Sequence, residues 1–386
     1  MRRPRNLNIA HIGLKGIPVT IGGPENFVEK ISTRLVKRGH DCTVYCRPYA
    51  TKRWLDTLPP DKRPEQRHIM YYEGVRMINL PTVTKKNLDS IVHTTVAAAH
   101  CLFKPYDIIN YHTIGASLVS FISWLRPSQK AVVSVHGLDW ARSKWSSMAQ
   151  KLLKFSEYTS ARFVDLTQVV SKELKEYYDE KYGISSVYIP TGVDVKAPRS
   201  PKEIHKYGLD SKSYFLFLSR LVPEKGAHYL IEAFKKVKTD RKLVIAGDSL
   251  YSKEYIDSLK KMAGENVIFT GFVSDTEMIE LFSNAYVYIL PSDIEGLPHS
   301  LLQGLSFGRC VLTSDIRANR EALGDCGYTF RKSDPESLRE ALQKLNDNPG
   351  LINVEYDKAI ARVKSEYDWE TVVDNFEEAY YRVLGL

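Results

Sequence analysis

The run Pro291-Ser-Asp-Ile-Glu295-Gly-Leu-Pro-His-Ser-Leu-Leu-Gln303-Gly-Leu-Ser-Phe-Gly308 places a carboxylate just ahead of a helix-forming stretch. It follows an apolar run, Ala285 to Leu290, that reads as a buried strand, with Pro298 placed to open the helix and Gly308 to close it. A strand leading into a helix start makes an anion site, because the first amides of a helix have no partner within it. Counted at a rise of about 1.5 Å per residue, Glu295 and Gln303 fall about 12 Å apart. That span suits a nucleotide sugar, with sugar hydroxyls at Glu295, a diphosphate at the helix start and ribose hydroxyls toward Gln303.

A second loop of the same half, Leu218-Ser219-Arg220-Leu-Val-Pro-Glu224-Lys225-Gly226, joins another predicted strand to a helix. An arginine fork and a lysine point charge on one loop can converge on a diphosphate and stabilise its charge as a leaving group. The competing reading is a pair of solvated loop cations. In the first half, His11-Ile-Gly13-Leu-Lys-Gly16 leads into Gly22-Gly23-Pro24-Glu25, where glycines let backbone approach a phosphate. This loop matches neither GxGxxG nor a Walker loop, which counts against a dinucleotide oxidoreductase and a P-loop nucleotidase. His136 directly follows the strand Ala131 to Val135, and His112 ends the strand Asp107 to Tyr111. Each is placed to hydrogen-bond a substrate hydroxyl, and a structural role competes more strongly at His112.

These residues need a scaffold that brings strand ends together. Short apolar runs alternate with helix-period segments along nearly the whole chain, the pattern of parallel sheets covered by helices. Strands are predicted near 7–12, 42–46, 75–80, 107–111, 131–135, 163–167 and 187–190, and the pattern restarts with 214–219, 242–246, 267–270, 285–290, 311–313 and 327–330. At 386 residues the chain exceeds one ordinary core, and the segment Ile189-Pro-Thr-Gly-Val-Asp194 marks a linker. Domains are expected over 1–192 and 193–369, with a last helix over 370–386 returning to the first. The expected fold is α/β, two doubly wound Rossmann-like domains with a cleft at their strand ends.

Charge is uneven: residues 1–190 carry 28 Lys+Arg against 16 Asp+Glu, whereas the rest carries 26 against 30. The basic half lacks any nucleic-acid-binding signature, so an anionic lipid surface or a phosphorylated acceptor fits it better, with a plain solvated surface as the alternative. Two basic segments with interleaved aromatics are candidates for such a surface. One runs from Thr51 through Trp54 and Leu58 to Arg63, and the other from Lys144-Trp145 to Lys154-Phe155; for the second, ordinary packing with a charged outer face competes. No apolar run reaches membrane-spanning length, no signal-peptide core follows Met1, and the five cysteines form no CxxC pair. A cytosolic protein with reduced thiols is expected.

Together the motifs resemble the retaining nucleotide-sugar glycosyltransferases of glycosyltransferase family 4, the "glycosyl transferases group 1" type, with the GT-B fold. The resemblance runs in order through Gly22-Gly23, Ser134-Val-His136-Gly137, Thr191-Gly-Val-Asp194, Ser219-Arg220, Glu224-Lys225-Gly226, Gly271-Phe272 and the Glu295 segment. It implies that Arg220 and Lys225 bind the donor diphosphate and that Glu295, with Gly296 and Leu297 beside it, contacts the transferred sugar. Gly271, Phe272 and Val273 would border the base, His136 would lie near the sugar, and Gly22 and Gly23 would close on the donor. The family pattern carries a second glutamate where this chain has Gln303. An amide offers one acceptor oxygen where a carboxylate offers two, a difference of about 1–2 kcal/mol in donor affinity.

The implied reaction is sugar transfer from a nucleoside diphosphate sugar, UDP expected before GDP, to a glycan or lipid-linked acceptor. Front-face transfer is expected, since no second carboxylate is placed for a covalent intermediate. Asp293 and Glu295 look superficially like a metal pair; with cations at 220 and 225, no metal or other cofactor is expected. The alternatives are a catalytically silent nucleotide-sugar-binding protein and a GT-B sugar-nucleotide epimerase.

Overall fold

The alternation of apolar and amphipathic segments becomes two sheets with helices on their faces. The computed structural model describes residues 5–18, 22–64, 66–83, 88–141, 146–249, 252–353 and 356–386. The chain divides into two compact units, one reaching Gly192 and including Trp369–Leu386, the other Val193–Asp368.

Among the described residues, the first unit holds β1 (Asn8–Ile12), β2 (Asp41–Cys46), β3 (Ile69–Tyr72), β4 (Val75–Asn79), β5 (Ile108–His112), β6 (Lys130–Val135), β7 (Leu166–Val169) and β8 (Val187–Tyr188). Their order across the sheet is β3-β4-β2-β1-β5-β6-β7-β8, parallel except for the antiparallel pair β3–β4. β4 lies where a strand was expected, at 75–80, but its partner β3 went unpredicted, although Glu73-Gly74 supplies their two-residue turn with φ of 46° and 81°, the left-handed pair that such turns require. The strand predicted at 163–167 lies at Leu166–Val169 instead. The preceding helix persists to Arg162, and Phe163 is spent on a ring contact with Trp124, centroids 4.8 Å apart.

The final helix, Trp369–Leu384, belongs to this first unit. Its buried face, Trp369, Val372, Val373, Phe376 and Tyr380, joins Ile9, Phe27 and Ile31 in one core, each large side chain contributing about 1.5–3 kcal/mol by burial. Polar contacts fix its register. Asn110 donates to the Tyr380 hydroxyl at 2.8 Å, and Arg38 pairs with Glu370, Asp374 and Glu377. His40 accepts the Leu7 amide at Nδ1, so its Nε2–H donates to Glu377 at 2.7 Å.

The second unit holds β9 (Tyr214–Leu218), β10 (Lys242–Ala246), β11 (Val267–Gly271), β12 (Val287–Leu290), β13 (Val311–Ser314) and β14 (Gly327–Phe330), in the order β11-β10-β9-β12-β13-β14 and all parallel. Tyr214 and Leu216 of β9 face one core cluster while Phe215 and Phe217 face another. A strand covered on both faces must be apolar at every position, which is why β9 reads YFLFL. The order reverses between β9 and β12, where the connections leave in opposite directions and the strand ends leave a crevice.

Candidate active site

The loops that leave β9 and β12 flank that reversal, and backbone contacts lock them together. Gly226 has φ +71°, and a Cβ added there would overlap the Pro291 carbonyl oxygen. The Asp293 amide donates to the Glu224 carbonyl at 2.9 Å. With the two backbones so close, Lys225 Nζ meets Glu295 Oε1 at 2.5 Å, the side chains only 12% and 8% exposed. Two charges held this far from water need each other, since either one alone would bear its desolvation unrelieved.

Neighbouring strand ends continue the same edge. The Ser219 amide donates to Ala246, and Gly247, at φ +125°, packs its Cα against the Ser219 carbonyl while its amide donates to Gly271 at 2.9 Å. Gly271 itself lies at φ +68° with open space where a Cβ would stand, and Phe272 beyond it is exposed. Arg220, at the start of the Lys225 loop, is exposed. The side chains of Val273 and Leu297 pack on the core.

The helix after Glu295 is shorter than the sequence suggests, spanning His299–Ser306, with Pro298 as the flanking residue rather than the first helical one. Gly308 follows its end at φ +63°. Residues 295–298 are therefore not helical, and the 12 Å obtained by counting helical rise from Glu295 does not apply. Gln303 is half-buried, its amide nitrogen 3.7 Å from the Met278 sulfur. Asp293 and Glu295 do not act as a pair. Asp293 accepts from Tyr229 at 3.3 Å and from Ser333 at 2.7 Å, whereas Glu295 is taken by Lys225. Tyr288, buried beneath the loop, donates to the Leu218 carbonyl at 3.2 Å and also shares a hydrogen bond with Ser300; burial pushes its phenol up. These supports, Tyr229, Tyr288, Ser300 and Ser333, escaped the sequence reading because each lies on a different element.

In the first unit the adjacent strands β1, β5 and β6 carry a row of imidazoles at one edge. His11 Nδ1 lies 3.0 Å from His112 Nε2, and His112 Nδ1 lies 3.5 Å from His136 Nε2, with Phe27 edge-on to His136. Burial lowers His11 to about 3 and His112 well below its ordinary value, so both are neutral. A neutral ring carries one N–H, so both contacts must run in the same direction. His11 Nε2 is buried without a partner, and an orphaned acceptor costs less than an orphaned donor. The network therefore assigns His11 as donor to His112 and His112 as donor to His136, leaving a neutral His136 its proton on Nδ1. His112, where the sequence favours a structural role over a substrate contact, thus faces the Nε2 of His136 as its hydrogen-bond donor.

The row makes a prediction about acid stability. Below the unfolded pKa of about 6.5 the unfolded chain binds protons that these two folded rings refuse, so stability falls as pH falls. Each ring contributes at most about 1.4 kcal/mol per pH unit. Urea unfolding between pH 6.5 and 5 should show this loss, and His112→Gln should flatten it by one proton; an unchanged slope would refute the neutral assignment.

Of the other first-unit positions, Gly22, at φ +135°, precedes the helix Gly23–Lys37, and the Glu25 carboxylate folds back over it. Gly23 is open to solvent. Residues 19–21 of this loop, and Lys144 and Trp145 of the basic aromatic segment, lie outside the described residues.

The fold and site define a class: a chain of two Rossmann-like units whose second carries a buried acid–base pair where its strand order reverses. Residues 200–363 match the family model described as glycosyl transferases group 1, and residues 21–197 the model described as Glycosyltransferase Family 4. The chain belongs to this family of glycosyltransferases. It is 24% identical over 400 residues to the O-antigen chain mannosyltransferase C of Escherichia coli, covering 98% of this chain and 99% of that one. It is 28% identical over 232 residues to the lipopolysaccharide 1,2-N-acetylglucosaminetransferase of Salmonella typhimurium, covering 54% and 60%. Among solved structures, sucrose-phosphate synthase from Thermosynechococcus elongatus matches with a TM-score of 0.80 at 17% identity, over 98% of this chain and 100% of that one. Anabaena Alr3699/HepE in complex with UDP-glucose matches with 0.78 at 18% identity, over 98% and 100%. At such identities the structures establish the fold alone, GT-B.

Proposed function

We propose that this glycosyltransferase takes a sugar from a nucleoside diphosphate donor, UDP before GDP, and passes it with retained configuration to a glycan or lipid-linked acceptor in envelope polysaccharide synthesis. The Lys225–Glu295 pair at the strand reversal carries the reading. In the absence of donor the two charges neutralise one another; an arriving diphosphate competes for Lys225 and releases Glu295 oxygens to accept from sugar hydroxyls. Arg220 adds a second cation from the same loop. As the bond from the anomeric carbon to the phosphate oxygen breaks, the acceptor oxygen bonds to that carbon from the same face, and its proton passes to the departing oxygen. Lys225 and Arg220 stabilise the charge developing there.

The separate engagement of Asp293 and Glu295 supports transfer without a divalent ion or other cofactor, the two cations supplying the charge a metal would. His136 is proposed as a hydrogen-bonding group for the reactants. The names of relatives support the substrate class, since they act on O-antigen and lipopolysaccharide, and a fold neighbour is recorded with UDP-glucose.

The test is a thermal-shift screen of UDP- and GDP-sugars, followed by product analysis with the best donor, with and without EDTA. A donor at 100-fold over its Kd should stabilise the fold by about 2.7 kcal/mol. Release of nucleoside diphosphate together with an axial-to-axial or equatorial-to-equatorial product, unaffected by EDTA, is expected. Binding without release would leave a silent binding protein, and turnover without acceptor an epimerase.

A further inference from the structure

Among the described residues, eight of the fifteen exposed large apolar side chains lie on two neighbouring helices of the first unit and the turn beside them. The helix Ser147–Arg162 packs against a 3-10 helix, Ile114–Leu125. Rings join them in an unbroken file: Trp124 contacts Phe163 at 4.8 Å, Phe163 contacts Tyr158 at 6.2 Å, and Tyr158 contacts Phe155 at 6.4 Å between centroids. Leu152 and Met148 extend the file along the same helical face at spacings of three and four. Phe121 shares the Trp124 face of the 3-10 helix, where residues three apart eclipse. Leu125 follows, and Arg126 donates to the Leu102 and Lys104 carbonyls, holding the exposed Phe103 beside them.

A folded protein does not present so much apolar surface to water without a use for it. The charges around it say which use. The helix Ser147–Arg162 bears one carboxylate, Glu157, and that group is buried among Trp140, Tyr177, Lys181 and Tyr182. Its outward charges are Lys151, Lys154 and Arg162, and Ile114–Leu125 carries none. Lys154 extends over the Trp140 ring. The two helices bear no exposed acid, and Asp165 beyond Phe163 is held by Lys130 at 3.0 Å. Apolar tips flanked by such cations complement a surface that is greasy within and negative at its rim. By contrast, the other basic aromatic segment turns Trp54 and Leu58 into the core. No helix among the described residues is long and apolar enough to cross a membrane.

We propose that this face docks the protein on an anionic phospholipid bilayer, Trp124, Phe155 and Leu152 entering the headgroup boundary and Lys151 and Lys154 meeting the lipid charges. The inference goes beyond the donor chemistry and stands without it. The protein should float with phosphatidylcholine vesicles containing about one third phosphatidylglycerol, and much less with phosphatidylcholine alone. Leu152→Gln with Phe155→Gln should lower the bound fraction about tenfold or more. Lys151→Gln with Lys154→Gln should do so at low salt, and Tyr71→Gln, a more exposed ring elsewhere on the unit, should not.

Three results would overturn the proposal: no flotation with anionic vesicles, equal flotation with neutral ones, or unchanged flotation of the Leu152/Phe155 variant. Sedimentation velocity without lipid supplies a fourth, since a dimer dispersed by that variant would make the face a contact between copies. Nucleotide-sugar thermal shifts should be the same in the variant and the wild type, so failure here is separable from failure of the donor assignment.

Discussion

Lys225→Met should lower kcat by about two to three orders of magnitude, the scale seen when a preorganised charge-stabilising group is removed from an active site. The same substitution should destabilise the fold by about 3 kcal/mol, because it leaves the Glu295 carboxylate, 8% exposed, without its countercharge. The two effects have different remedies. Adding Glu295→Gln removes the stranded charge and should return most of the stability, while the rate stays low. Urea unfolding and donor turnover on the two single variants and the double variant close the cycle. If the double variant recovers the rate, the lysine acts only as a structural partner and the leaving-group role is lost. If Lys225→Met leaves turnover intact, the site lies elsewhere.

The second large effect is expected at Gly226. Any side chain there must adopt a left-handed backbone and must also displace the Pro291 carbonyl. Gly226→Ala should therefore cost about 3 kcal/mol or more, of which the backbone conformation alone accounts for about 1–2. The displacement parts the two loops that bring Lys225 to Glu295, so donor affinity should fall along with stability. Gly264→Ala, in the same unit, provides the comparison, since its Cβ would meet nothing. Calorimetric donor titration of both variants checks this, and wild-type affinity in Gly226→Ala would show that the contact between the loops is dispensable.

What could be read ahead of the structure follows from how local each signal is. β9, β10 and β12 announce themselves as apolar runs because a strand buried on two faces tolerates nothing else. The missed strand Ile69–Tyr72 lies at the sheet edge with Tyr71 65% exposed, so its apolar pattern is interrupted. Lys225 and Glu295 could be named from their loops, but not their contact across seventy positions, which depends on β9 and β12 being neighbours. The histidine row is further from view, since His11, His112 and His136 come from three strands that only the sheet order sets side by side. The face of Ser147–Arg162 misleads in the opposite way. Its alternating lysines and aromatics match an ordinary helix with the apolar side inward, whereas its buried residues are Glu157, Ala161 and three hydroxyl residues, Ser156, Thr159 and Ser160, whose hydroxyls bond to backbone.

The return of Trp369–Leu384 to the first unit has a consequence for biosynthesis. Residues 193–368 form an unbroken stretch and can fold as soon as they leave the ribosome, whereas the first unit must keep the bed around Phe27 and Ile31 uncovered until Trp369–Leu384 has been made. The unit begun first is thus completed after the second, and a chain cut short after Asp368 would carry a sound second unit beside a first unit open to chaperones and proteases.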